Sequence, residues 1–126
     1  MRFNVIDSSG WIEYFLDTKP ADFFEPAILD AEHLIVPAIA LYEVHKRLSQ
    51  LVPAEIVATC IEVMRKASVI ALTAERAIAA SNIAQQYQLA MADAMMYSIA
   101  IEHHATFWTQ DADYQGLPSV QFQAKT

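Results

Sequence analysis

Short β-branched runs alternate along this chain with longer segments whose apolar residues recur every three or four positions. Phe3-Asn4-Val5-Ile6 predicts a strand, closed by Asp7-Ser8-Ser9-Gly10 as a turn and helix N-cap. Trp11, Ile12, Tyr14, Phe15 and Leu16 predict a first helix, stopped at Pro20, and a second is expected over residues 21–31. Leu34-Ile35-Val36 reads as a buried strand, with Pro37 in the first turn of the following helix. That helix carries Leu41, Val44, Leu48 and Leu51 as a core-facing stripe until Pro53 interrupts it and opens a fourth helix running to about Ala67. Residues 68–72 predict a strand, Thr73 an N-cap, and the alanine-rich residues 74–87 a helix that breaks at Gln88-Leu89. A helix over residues 91–104, with Met95, Ile99 and Ala100 among its apolar positions, precedes strands at residues 106–109 and 120–122.

Strands separated by helices pair in parallel through right-handed crossovers, which leaves helices on both faces of the sheet. The expected class is therefore α/β, a three-layer α/β/α domain with a central parallel sheet. At 126 residues the chain is the size of one domain, taken to span residues 1–126, and is long enough to bury a core. With only Gly10 and Gly116 available, no glycine-rich loop can cradle a nucleotide phosphate, which excludes the Walker and dinucleotide fingerprints.

Composition narrows the setting further. The apolar fraction is 55%, yet charge-free apolar stretches such as residues 94–101 are far short of a membrane span, so no membrane association is expected. The start Met1-Arg2-Phe3-Asn4 lacks a secretory h-region and Cys60 is the lone cysteine, which together point to a reducing cytoplasm. Fifteen acids against eight basic residues give a net charge of −7, so any nucleic-acid contact must be local. The pairs Lys46-Arg47 and Arg65-Lys66 are most simply solvated helix faces. His33, His45, His103 and His104 form no zinc pattern, and Cys60 reads as a small buried apolar residue.

Four acids stand where open α/β sheets place their chemistry: Asp7 after the first strand, Glu43 in a helix, Asp93 opening another, and Asp111 after Phe107-Trp108-Thr109. Each also has an ordinary explanation. Asp7 can cap a helix, Glu43 can pair with Arg47 four residues on, Asp93 suits a helix N-terminus, and Asp111 and Asp113 suit a turn.

Val5-Ile6-Asp7-Ser8-Ser9, Tyr42-Glu43-Val44, Ala92-Asp93-Ala94 and Thr109-Gln110-Asp111-Ala112-Asp113-Tyr114 occur in the order and spacing of PIN domains, and the chain resembles a VapC-type toxin over its whole length. The resemblance implies a metal-dependent endoribonuclease held inactive by a cognate VapB-type antitoxin. It makes Asp7, Glu43, Asp93 and Asp111 the catalytic acids, adds Asp113 to Asp7, Asp93 and Asp111 as a metal ligand, and gives Ser8 or Ser9 and Thr109 positioning roles. Tyr114 stands where the family usually has phenylalanine, and Gln110 where some relatives carry a basic residue.

Carboxylates suit Mg²⁺ or Mn²⁺, hard cations that prefer oxygen donors. The activity implied is hydrolysis of RNA by metal-activated water, leaving a 5′-phosphate and a 3′-hydroxyl. A non-catalytic PIN-like binding scaffold is the alternative, disfavoured by the intact set of acids. A phosphoacceptor domain is also disfavoured, since no lysine lies between Arg76 and Lys125. A homodimer is the expected assembly. The antitoxin is expected to reach the acids with an arginine and to lay apolar residues near residues 11–29.

Overall fold

Val5 and Ile6 have no exposed surface and lie in the central strand β1 (Asn4–Ile6) of a five-stranded sheet. The computed structural model describes residues 2–125; Met1 and Thr126, the ends of the expected single domain, lie outside the described residues. After β1 come α1 (Ser8–Phe15), α2 (Ala21–Leu29), a 3₁₀ turn at Ala31–His33 and β2 (Leu34–Pro37). The chain continues through α3 (Ala38–Ser49), α4 (Ala54–Arg65), β3 (Ser68–Ile70), α5 (Ala74–Tyr87), α6 (Met91–Glu102) and β4 (Thr106–Thr109). A second 3₁₀ turn at Ala112–Tyr114 leads to β5 (Val120–Phe122).

The strand order is β3-β2-β1-β4-β5 and every pairing is parallel, so the α/β reading holds. Successive crossovers from β1 to β2 and β3 run one way along the sheet, and the return to β4 runs the other. Right-handed connections therefore put α1 to α4 on one face and α5 with α6 on the opposite face. The helix contacts agree, α1 packing on α2 and α3, α3 on α4, and α5 on α6. No helix among the described residues is long and apolar enough to cross a membrane.

Several boundaries move from their sequence-based positions, each for a local reason. The second helix stops at Leu29, two residues early, and the chain tightens into the 3₁₀ turn. Pro37 ends β2 with extended backbone and precedes α3. Leu51 leaves the predicted stripe, because α3 ends at Ser49 and the side chain is exposed; Ala40, Val44 and Leu48 carry the buried face instead. Residues 71–72 drop out of the third strand, and α6 ends at Glu102, with His103 as C-cap donating from Nδ1 to the Ile99 carbonyl, 2.9 Å away. Thr73 caps α5 by accepting from the Arg76 amide at 3.2 Å, and Gln88 closes that helix in the left-handed region at φ 57°.

The core runs along both sheet faces, with Phe24, Leu48, Met64 and Trp11 on one group of helices and Met96 and Tyr97 on α6, all without exposed surface. Cys60 is buried, and burial pushes its thiol pKa up, as suits an apolar filler. At Gly10 α1 packs tightly against α2 and β1: a Cβ there would lie 2.7 Å from Phe24 Cε1 and 2.8 Å from Ile6 Cγ2. Both neighbours are fully buried and cannot swing into solvent. Gly10→Ala is therefore expected to destabilise the protein by about 1–2 kcal/mol, overpacking outweighing the gain in helix propensity. A lower urea midpoint at constant m-value is the expected readout; an unchanged or higher midpoint would show that the Phe24 ring yields.

Candidate metal centre

The strand order reverses beside β1, whose neighbour β4 comes from the far end of the chain, so the carboxyl ends of β1 and β4 form a topological switch point. Asp7 is the first residue after β1, and its amide donates to the Trp108 carbonyl of β4 at 3.0 Å. Asp111 follows β4 by two residues. Because α6 ends just before β4 begins, its N-terminus and Asp93 lie at this same sheet edge. Glu43, in the second turn of α3, completes the approach from beside β2.

Asp7 is only 4% exposed, and Thr109 Oγ1 donates to its Oδ2 at 2.8 Å. The same hydroxyl accepts from the Asp111 amide at 2.9 Å, and Asp111 Oδ1 accepts from the Asp113 amide at 2.9 Å. Thr109 thus ties the floor of the site to the loop that carries two further acids. Ser8 Oγ donates to Glu43 Oε1 at 2.9 Å, linking α1 to α3. Ser9, the alternative positioning serine, makes no such contact: its Oγ is buried without a partner.

Oxygen atoms of Asp93, Asp111 and Asp113 lie within 4.8 Å of one another, so Asp113 belongs to the same group as Asp111. Asp7 and Glu43 stand outside that trio, yet near enough to raise the energy of its charges. Burial first, then the charges of Asp93, Asp111 and Glu43, push the Asp7 pKa from 3.8 up to about 7 against the lowering effect of Thr109. Burial, and next Asp111, Glu43 and Asp113, also raise Asp93, opposed by Tyr114.

The ordinary explanations weaken at two positions. Asp7 occupies the N-cap position of α1 but makes no side-chain cap bond, its carboxylate being engaged by Thr109. Glu43 takes Ser8 rather than Arg47, whose guanidinium donates to Gln50 at 3.1 Å. None of the five acids forms an ion pair with a basic side chain among the described residues. Asp93 still gains from the α6 macrodipole, which favours its ionised form.

Tyr114 is the residue that sequence reasoning undervalued. Its ring packs on Phe107 and Tyr97, as a phenylalanine there could. The hydroxyl, however, is buried without a full hydrogen bond and faces Asp93 in looser geometry, and burial followed by the charges of Asp7 and Asp93 drives its pKa far up. A polar atom facing clustered acids is signalled only by a tyrosine directly after the Asp111-Ala112-Asp113 segment.

One buried carboxylate, Asp7, beside the half-buried Asp93 and Asp111 and the exposed Asp113, without a counterion among the described residues, fits a divalent cation of the hard class, which offsets their repulsion and takes oxygen donors. Asp7, Asp93, Asp111 and Asp113 are the residues that could hold it.

A family model described as "PIN domain" matches residues 5–119. Among solved structures, a toxin-antitoxin complex from Klebsiella pneumoniae has a TM-score of 0.79 at 18% identity, covering 94% of this chain and 95% of that one. DNA-bound VapBC from Salmonella typhimurium gives 0.76 at 17% identity, covering 98% of each chain. VapBC2 from Rickettsia felis, bound to a promoter DNA fragment, gives 0.72 at 12% identity, covering 98% of this chain and 99% of that one. No curated protein matches the sequence.

Proposed function

The chain belongs to the PIN-domain family, and from that membership and its acid cluster we propose that it is a metal-dependent endoribonuclease toxin held in check by a cognate antitoxin. The observation that carries this reading is Asp7: a carboxylate almost without exposure, bonded to Thr109, surrounded by Asp93, Asp111 and Glu43, and without a basic partner among the described residues. A stable fold keeps such an arrangement for a cation or a reaction rather than for packing.

Asp93, Asp111 and Asp113 would bind Mg²⁺ or Mn²⁺ at the mouth of the site, with Asp7 as the buried ligand beneath them. When bound, the ion would supply Lewis acidity, neutralising charge on the scissile phosphodiester and acidifying water. Thr109 orients Asp7 and fixes the Asp111 backbone. Ser8 holds one oxygen of Glu43, and Oε2 makes no hydrogen bond among the described residues, which supports Glu43 as the group that would accept a proton from water. The Tyr114 hydroxyl faces Asp93 and favours its ionised form. The products are a 5′-phosphate and a 3′-hydroxyl.

The partner reading is supported by the toxin-antitoxin neighbours. An arginine from a VapB-type antitoxin would pair with the acids and compete with the cation. Its apolar residues would lie near Leu16 and Leu29, which are exposed, whereas Trp11 is fully buried and unavailable. We read the chain as a single domain over residues 1–126 acting in the cytoplasm. Ile78 and Met91, 67% and 72% exposed beside α5 and α6, suit the interface of a homodimer.

The test is cleavage of total cellular RNA by purified protein, with end mapping of the products. Cleavage should stop with EDTA and return with excess Mg²⁺ or Mn²⁺. Activity that survives the chelator rules out the metal assignment, and absence of cleavage under all metal conditions rules out the nuclease.

A further inference from the structure

The acid centre is bordered on α3 by a surface of opposite character. Tyr42 is 59% exposed, and Lys46 Nζ stands over its ring, 5.9 Å from the centroid. Arg47 Nη1 donates to Gln50 Oε1 at 3.1 Å, and these side chains line an open cavity of about 170 Å³ together with Glu43. Glu43 belongs to both places, because Ser8 of the site holds its carboxylate. Neither Lys46 nor Arg47 forms an ion pair with a described carboxylate, although the chain carries fifteen acids. The partner that helical spacing offers Arg47 is Glu43, and that residue is engaged elsewhere. Two cations without a carboxylate partner and an exposed ring thus lie within about one helical turn of Glu43, in a protein of net charge −7.

We infer that this α3 face binds single-stranded RNA and leads it into the acid centre, Tyr42 stacking a base while Lys46 and Arg47 contact the adjoining phosphates. The inference rests on the nuclease reading of the acid centre and gives it a substrate form. Single strands are held by aromatic platforms beside positive charge that follows the backbone, whereas a duplex hides its base faces. The acids and the overall negative charge repel RNA, so binding must come from a local positive surface continuous with the centre. The contact between Lys46 and Tyr42 is solvent-exposed and weak, and a phosphate can draw the ammonium away from the ring and free its face for a base. Arg47 gives one N–H to Gln50 and retains the others for a phosphate.

The experiment compares wild type with Lys46→Ala/Arg47→Ala, with Tyr42→Ala, and with Arg65→Ala/Lys66→Ala. The last pair carries the same charge but lies ahead of β3, at the opposite end of the parallel sheet from the acids. All five side chains are replaced on helix surfaces or helix ends, and circular dichroism verifies folding. Binding of a fluorescent, uncleavable 2′-O-methyl single strand is titrated in Mg²⁺ across a range of salt. Removing both α3 cations should flatten the slope of log affinity against log salt by about 1.4, from roughly 0.7 per phosphate contact. Tyr42→Ala should weaken binding roughly tenfold with the slope unchanged, as loss of one stacked base predicts. On a cleavable strand both variants should raise KM and leave kcat within about twofold, because they act before the reacting atoms. The Arg65 and Lys66 variant should match wild type in each measurement.

Wild-type RNA binding that is indifferent to the α3 substitutions overturns the inference while leaving the nuclease intact. Equal losses in the control pair overturn it too, since the effect is then one of general charge. If the α3 variants lose the antitoxin but keep RNA, the face belongs to the protein partner and the inference is wrong. A wild type that binds the strand through α3 yet cleaves nothing in any metal supports the surface and removes the nuclease reading instead.

Discussion

Asp7→Asn is expected to abolish toxicity and to lower RNA cleavage by about a hundredfold or more, since even residues that merely support a metal ligand cost up to about that much. The same substitution should leave the fold intact. Asn keeps the size of the side chain and an oxygen that can accept from Thr109, the 2.8 Å bond that now orients the carboxylate. Stability should be unchanged or higher in metal-free buffer above neutral pH. The sign follows from the proton balance. Asp7 has a pKa near 3.8 when unfolded and about 7 when folded, so the folded state binds the proton more tightly and loses stability as pH rises from about 4 to 7. An upper bound on that cost is about 4 kcal/mol for the ionised form at pH 8, from about 1.4 kcal/mol per pH unit. Asn removes the charge and with it the cost, offset by the hydrogen bonds its amide needs. Paired measurements of melting temperature and of cleavage check both halves. A folded Asp7→Asn protein with full activity would falsify the site.

The second large effect is an inversion of pH dependence by metal. Without a divalent ion, the contribution of Asp7 and Asp93, both raised by burial and by neighbouring acids, makes the protein more stable as pH falls from about 7 toward 4. With Mn²⁺ or Mg²⁺ present, ionised carboxylates are the ligands, and the ion stabilises the folded protein progressively as pH rises. At a hundred times its dissociation constant, the ion should add about 2.7 kcal/mol. Protons and metal then compete for the same oxygens. The acid limb of the activity profile should move to lower pH by up to about one unit for each tenfold rise in metal where one proton is displaced. Thermal melts and initial rates over a grid of pH and metal concentration test this. A rate profile that ignores metal concentration would separate the catalytic acids from the cation, even if RNA cleavage itself were robust.

Both expectations depend on contacts that no local pattern announced. The hydrophobic runs Val5-Ile6, Leu34-Ile35-Val36 and Phe107 located the inner strands because a strand buried on both faces must be apolar, and those residues are buried in the fold. Pro37 and Pro53 marked helix starts because proline fixes φ and lacks the N–H that a helix start leaves unused. Weakly buried stretches were read less well. β3 is an edge strand with exposed residues, so little in its composition marked where pairing ends, and Leu51 kept a helical spacing after the helix had stopped.

The sequence by itself determined the class of the fold, the position of each acid at a strand end or in a helix, and the family resemblance those acids carry, because these follow from local periodicity and residue order. The tertiary structure decided which acids meet. Pairing β1 with β4 brings Asp7 and Thr109 together across 102 positions, and α6 delivers Asp93 to the same edge. It decided that Glu43 accepts from Ser8 instead of pairing with Arg47, that Asp113 shares the trio of Asp93 and Asp111, and that the Tyr114 hydroxyl faces Asp93. The physical reason is common to these contacts. Hydrogen bonding and charge act over a few ångströms of space, and the strand order that sets those distances is chosen by burial across the whole chain, whereas helix and strand signals are written within a few residues.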